Sequence, residues 1–207
     1  MASLLLVFAV WLPAGAGVRS LATRPAGRRT DAVPILTIAA VACVAVGLAA
    51  QVAWSPWLVH LERVRDEVTA GQWWRLVTSL VAQDGGVGGG LSNLAALAVV
   101  GAVAEWLIGR RRWALVALAG AVGGQVAGLV MDVSGAGNSI VVVALAAAVA
   151  VDALLAEPGT IVAVLSTAAL LSVAGLVGLR DLHGFAALAG AATCLATWAI
   201  WVDPSRR

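Results

Sequence analysis

A chain that returns again and again to apolar runs of about 20 residues has few folds open to it. Each run, coiled as an α-helix, matches the roughly 30 Å hydrocarbon core of a bilayer. Six such runs stand at about 34–53, 88–108, 113–131, 137–155, 160–179 and 183–202. A further apolar stretch at about 3–18 is shorter and contains Pro13. With 61% hydrophobic and 12% charged residues among 207, and a mean hydropathy of +0.97, the chain lies far from a water-soluble composition. The expected architecture is all-α, a polytopic transmembrane helical bundle with a six-helix core and an extra N-terminal hydrophobic helix. Residues 1–33 form the hydrophobic segment and a basic cytoplasmic linker, 34–203 the transmembrane domain and 204–207 the tail.

The 3–18 run lacks the basic flank of a secretory signal, and cleavage after it would leave Arg19, Arg24, Arg28 and Arg29 on the outside. An added helix, or a start codon placed upstream of the true one, accounts for it better. Arginine is the sole basic residue besides two histidines, and its distribution sets orientation. Segments 19–29, 110–112 and the tail hold nine, whereas 54–87 and the turn at Arg180 hold four. Positive loops stay in the cytoplasm. The connection at 54–87, the turn before Ser139 and the turn before His183 then lie on the external face of a plasma membrane, expected to be bacterial. A net charge of +2 with its arginines in short loops implies no nucleic acid. Cys43 and Cys194 lie inside apolar runs and suggest no disulfide framework, and no His/Cys/Asp cluster has metal-ligand spacing.

Chemistry-bearing residues gather toward that external face, apart from Glu105, which is expected close to the cytoplasmic end. Trp74-Arg75 follows Gly71-Gln72-Trp73, Asn93 opens the second core helix, and Gly101, Glu105 and Gly109 recur at intervals of four along it. Gly137-Asn138-Ser139 precedes the fourth core helix, and His183 starts the sixth, with Ala186, Ala187 and Gly190 making a small-residue face behind it. Each has an ordinary structural explanation. Trp74-Arg75 suits an interfacial anchor with a snorkelling arginine, Asn93 a helix-to-helix bond, Glu105 a structural role and Ser139 an N-cap. Taken together, Ser139 and His183 supply a hydroxyl and a base at one membrane depth, and a serine becomes a good nucleophile only beside such a base. Asp181 and Asp132 lie in loops, so no third member is expected. His60 falls outside these motifs and is expected to be solvated.

In order and spacing these landmarks resemble the rhomboid family of intramembrane serine proteases across about 60–203. The Trp-Arg pair, the second-helix Asn, the Gly-xxx-Glu-xxx-Gly run, a Gly-x-Ser turn and a last-helix His all have counterparts. The resemblance implies Ser139 as nucleophile, His183 as general base and acid, and Asn93 with backbone N–H groups as the oxyanion site. It also implies transmembrane proteins as substrates, the lipid bilayer as surroundings and no cofactor or metal. Three positions depart from the family pattern: Ile140 follows the serine where Gly is usual, Gly89 replaces a His four residues before the Asn, and Val143 replaces an aromatic. Loss of one oxyanion donor costs about 100- to 1000-fold in rate. The alternative is a pseudoprotease that binds transmembrane helices without cutting them. A transporter or channel would call for ionisable groups at mid-membrane, and the mid-helix positions are mostly Ala, Val, Leu and Gly.

Overall fold

The computed structural model describes residues 2–23, 33–54, 56–156 and 159–201. The linker arginines Arg24, Arg28 and Arg29 and the tail 204–207 lie outside them. The described chain is all-α, in the order α1 (Ala2–Thr23), α2 (Ile35–Ala53), α3 (Trp57–Leu61), α4 (Arg65–Thr69), α5 (Arg75–Thr78), α6 (Gly86–Val130), α7 (Ser139–Leu155), α8 (Thr160–Gly178) and α9 (Leu182–Trp201). An isolated antiparallel bridge joins Arg63 and Gly135. The helices α1, α2, α6, α8 and α9 are long and apolar enough to cross a membrane, and the chain is a multi-pass membrane protein.

The spans run where the apolar runs place them, with two corrections. The expected loop at 110–112 is helical. The break falls instead on Gly109, whose φ of 76° and ψ of 162° lie outside what a side chain-bearing residue readily adopts, and divides α6 into halves of about 86–108 and 110–130. The N-terminal run is also longer than its hydropathy suggests. As α1 it covers 22 residues, and Ala9, Val10 and Ala14 belong to the same hydrophobic core as α6, α7 and α9.

The helix α7 lies at the centre. From Val142 to Ala150 every residue is shut away from solvent, and the stretch is built from Ala, Val and Leu. Small residues on the neighbours let backbones approach it, since lipid supplies no hydrophobic drive for helix association. A methyl group on Gly120 of α6 would stand 2.2 Å from Ala144 Cβ, and one on Gly190 of α9 would stand 2.4 Å from the Ala144 carbonyl oxygen. Both partners therefore close on the same turn of α7. At 17 residues α7 is about 26 Å long, short of a full hydrocarbon crossing of about 30 Å. Non-helical chain makes up the difference.

That chain, 134–138, is tied by backbone hydrogen bonds to the connection between α2 and α6. Arg63 N and O pair with Gly135, Gly137 N donates to Ser79 O at 2.8 Å, and Asp84 Oδ2 accepts from Ala136 N at 3.0 Å. The long connection between α2 and α6 supplies all three partners. It is itself organised by Arg75, which is buried and donates to Val59 O, Glu62 O and Gln72 Oε1. The snorkelling arrangement considered for this arginine is thereby replaced by a loop clasp, because three carbonyl acceptors converge on one guanidinium. Trp74 beside it is exposed.

At the other end of the bundle, the glutamate of the Gly101-Glu105-Gly109 run has a structural post. Glu105 accepts from Leu36 N, Thr37 N and Thr37 Oγ1 at 3.2, 2.9 and 2.9 Å, an acidic cap supplied to the N-terminus of α2 from another helix. Gly101 lies against Thr37, and Arg110 Nε pairs with Glu105 at 3.4 Å.

Candidate active site

The turn into α7 places the serine. Gly137 has a φ of 149°, in a region that residues with a side chain rarely occupy, and it swings the chain from its bond with Ser79 into the helix. The residue at the N-cap position is Asn138, and no side chain caps the first N–H groups of α7. Ser139 therefore begins the helix instead of capping it. Its Oγ lies 2.9 Å from His183 Nε2.

The turn into α9 places the histidine. Helix α8 ends in a two-bond motif in which Asp181 N donates to Leu176 O and Arg180 N to Val177 O, with Arg180 left-handed at a φ of 54°. Asp181 then opens α9, its carbonyl accepting from Gly184 N and its Oδ1 from His183 N at 2.9 Å. The same Oδ1 lies 2.7 Å from His183 Nδ1. Asp181, which the sequence left apart in its loop, folds back on the ring of the histidine two residues on. The hydrogen bonds from His183 hold the Asp181 carboxyl below the ordinary value, against a smaller opposing effect of burial. A carboxylate at Nδ1 favours the tautomer with the proton on that nitrogen, in which Nε2 accepts from the Ser139 hydroxyl.

Both side chains line a cavity of about 330 Å³, shared with Arg63, Asp84, Gln125 and Arg180. Its wall is rigid. Arg63 donates to Gln125 Oε1 at 2.6 Å and twice to Val133 O, and Gln125 Nε2 donates to Ser79 Oγ and Leu76 O. Burial pulls the Arg63 guanidinium below its ordinary value, and the charge of Asp84 opposes that.

Asn93 stands at the same corner. The Cβ position of Gly137 lies 3.4 Å from Asn93 Nδ2, 3.5 Å from Gln83 Oε1 and 3.6 Å from Ser139 Oγ. A buried amide network fixes its orientation. Asn93 Nδ2 donates to Gln83 Oε1 at 2.8 Å, Gln83 Nε2 to Asn138 Oδ1 at 3.0 Å, and Gln51 bonds both backbone groups of Gln83. A primary amide carries two protons, so one on Asn93 remains to donate elsewhere.

Of the residues singled out by sequence, the fold brings Ser139, His183, Asn93 and Gly137 together. Gly190 holds α9 against α7 below them. Trp74, Arg75, Gly101, Glu105 and Gly109 are elsewhere, in the loop or at the far end. Ile140 is buried with its Cβ and methyls around Gly124, so most of its bulk fills a helix interface. Val143 is buried and Gly89 faces open space. Sequence reasoning missed Gln51, Gln83 and Gln125, whose signal was a polar amide beside or within apolar chain. His60 is exposed, as expected, and stacks on Trp54. Among the described residues no group of His, Cys, Asp and Glu is placed to hold a metal. No protein-family model, curated protein or solved structure matches the chain.

Proposed function

We propose that the chain is an intramembrane serine endopeptidase of rhomboid-like type, cutting a peptide bond in or near a transmembrane segment of another membrane protein. The observation that carries this is the 2.9 Å contact between Ser139 Oγ and His183 Nε2 at the wall of an open cavity, on helices brought together by Gly190. Ser139 Oγ attacks the scissile carbonyl carbon while its proton passes to His183 Nε2. The C–N bond then breaks, the imidazolium returns the proton to the leaving amine, and an acyl-serine remains. Water, deprotonated by His183, attacks the ester and restores Ser139. The spare amide proton of Asn93 and the uncapped N–H groups at the start of α7 support an oxyanion site.

Substrates are expected to unwind readily, because a peptide bond within a regular helix is shielded by its own hydrogen bonds. The arginine distribution supports a cavity opening to the external face of the membrane. Arg63 and Arg75 on that side are accounted for by buried loop contacts. The reading of a helix-binding protein without cleavage draws on Gly89, where open space stands in place of a further oxyanion donor.

The test is cleavage of a helix-destabilised transmembrane reporter in bilayers, together with labelling by a serine-directed fluorophosphonate. Ser139→Ala and His183→Ala should each abolish cleavage, since either removes the nucleophile–base unit and such effects are strongly non-additive. Unchanged cleavage by Ser139→Ala overturns the serine mechanism. A native chain that is folded yet cuts none of a broad reporter panel and takes no label favours the binding protein.

A further inference from the structure

We propose that Asp181 is a positioning residue for catalysis, which holds the imidazole of His183 in one tautomer and balances its charge when it takes the serine proton. This rests on the reading of Ser139 and His183 as nucleophile and base. Three atoms carry the argument. His183 has Asp181 Oδ1 at 2.7 Å from Nδ1 on one edge of the ring and Ser139 Oγ at 2.9 Å from Nε2 on the other. The ring is thus gripped from both nitrogens, and the order serine, imidazole, carboxylate follows.

An aspartate opening a helix has a simpler duty, and Asp181 performs it: Oδ1 accepts from His183 N at 2.9 Å. Capping alone, however, needs no contact with the ring. The double use of Oδ1 follows from local geometry. The two-bond end of α8, with Arg180 left-handed, delivers Asp181 directly into the first turn of α9, where its carboxylate meets both the backbone and the side chain of a residue two positions on. The carboxylate stays ionised there, held so by the hydrogen bonds it accepts. Both groups are partly open to the cavity, with 21% of the His183 side chain and 27% of Asp181 exposed. Screening by water makes the contribution smaller than that of a fully buried acid. The other charged groups lining the cavity are Arg63 and Asp84 from the α2–α6 connection and Arg180 from the same turn. Asp84 is held by Ala136 N and sits by Arg63, which leaves Asp181 as the carboxylate bonded to the ring.

The experiment separates capping from positioning by substituting residues that cap equally well. Asp181→Asn and Asp181→Ser, in the full chain in mild detergent and in bilayers, retain a side-chain oxygen for His183 N. Thermal unfolding should therefore barely change. Asp181→Asn should lower kcat against the reporter, and the rate of fluorophosphonate labelling at Ser139, by about 100-fold with KM little altered. Asp181→Glu should recover part of the rate. Wild-type labelling and an unchanged kcat in Asp181→Asn, with His183→Ala still inactive, overturn the proposal and leave Asp181 a cap. If His183→Ala itself labels and cleaves normally, the base assignment fails first, and this proposal with it.

Discussion

The two ends of the bundle gather similar groups and do opposite things with them. At the far end from the cavity, Arg112 is buried among α6, α7 and α9. Its guanidinium reaches Asp152 Oδ1, Thr197 Oγ1 and the Cys194 carbonyl, each at 3.2 Å. At the cavity end, Ser139 of α7 meets His183 of α9 at 2.9 Å, and Asp181 from the turn before α9 meets the same ring at 2.7 Å. The difference lies in what is left over. Arg112 and Asp152 are closed away and their charges are spent on each other and on the helices. The serine hydroxyl, the ring and the second amide proton of Asn93 border open space, where a reacting group can approach. A satisfied polar cluster inside a membrane protein locks helices; one with unclaimed donors beside a cavity can perform chemistry.

That contrast breaks most visibly at Asp152. Removing it by Asp152→Ala leaves the Arg112 charge buried without its carboxylate, and breaking a buried pair from one side costs about 3–5 kcal/mol. Denaturation in mild detergent should show this loss, while fluorophosphonate labelling per folded molecule stays at the native rate. Replacing both partners with apolar residues of similar volume should restore much of the stability. A labelling rate that falls along with stability would show the two ends to be coupled, contrary to the division drawn here.

A smaller effect, at the cavity end, comes from Gly89. A Cβ there meets nothing within 4 Å, so a larger side chain fits without displacing the backbone. Gly89→His should raise reporter cleavage by about tenfold, less than the 100- to 1000-fold attached to a fully placed oxyanion donor. An unaltered rate would mean that Asn93 and the start of α7 already saturate the site, and would sharpen the picture of which donors are unclaimed.

The smallest expected change concerns Arg180, which the α8–α9 turn forces to a φ of 54°. Glycine takes that conformation without penalty, so Arg180→Gly should stabilise the fold by about 0.5–1 kcal/mol in thermal unfolding. Because the backbone path into Asp181 is kept, kcat should remain within about twofold of native. A larger drop would assign the guanidinium itself a part at the cavity.

How much of this was legible in advance follows the range of the forces involved. Whether a segment crosses the membrane depends mainly on the transfer free energy of its own residues, which is why the six apolar runs and the N-terminal helix could be placed by inspection, and the all-α class with them. The pairing of Ser139 with His183 was legible for a related reason. Both stand at the same end of a span, and the small face ending at Gly190 announces close approach to a neighbour. Other contacts depend on how each helix is rotated and how each turn is shaped, and hydropathy carries no record of either. Asp181 looked like an ordinary loop acid until the end of α8 turned its carboxylate onto the ring. Gln83 became a support for Asn93 only because α6 and the loop before α7 meet around it, and Arg112 left its apparent loop because Gly109, and not the arginines, breaks α6. Sequence by itself determined which segments are apolar enough to cross a membrane and that Ser139 and His183 stand at the starts of two apolar helices, since those follow from neighbouring residues. Tertiary structure alone decided which lone pairs and protons face one another, since a hydrogen bond vanishes within an ångström of misplacement.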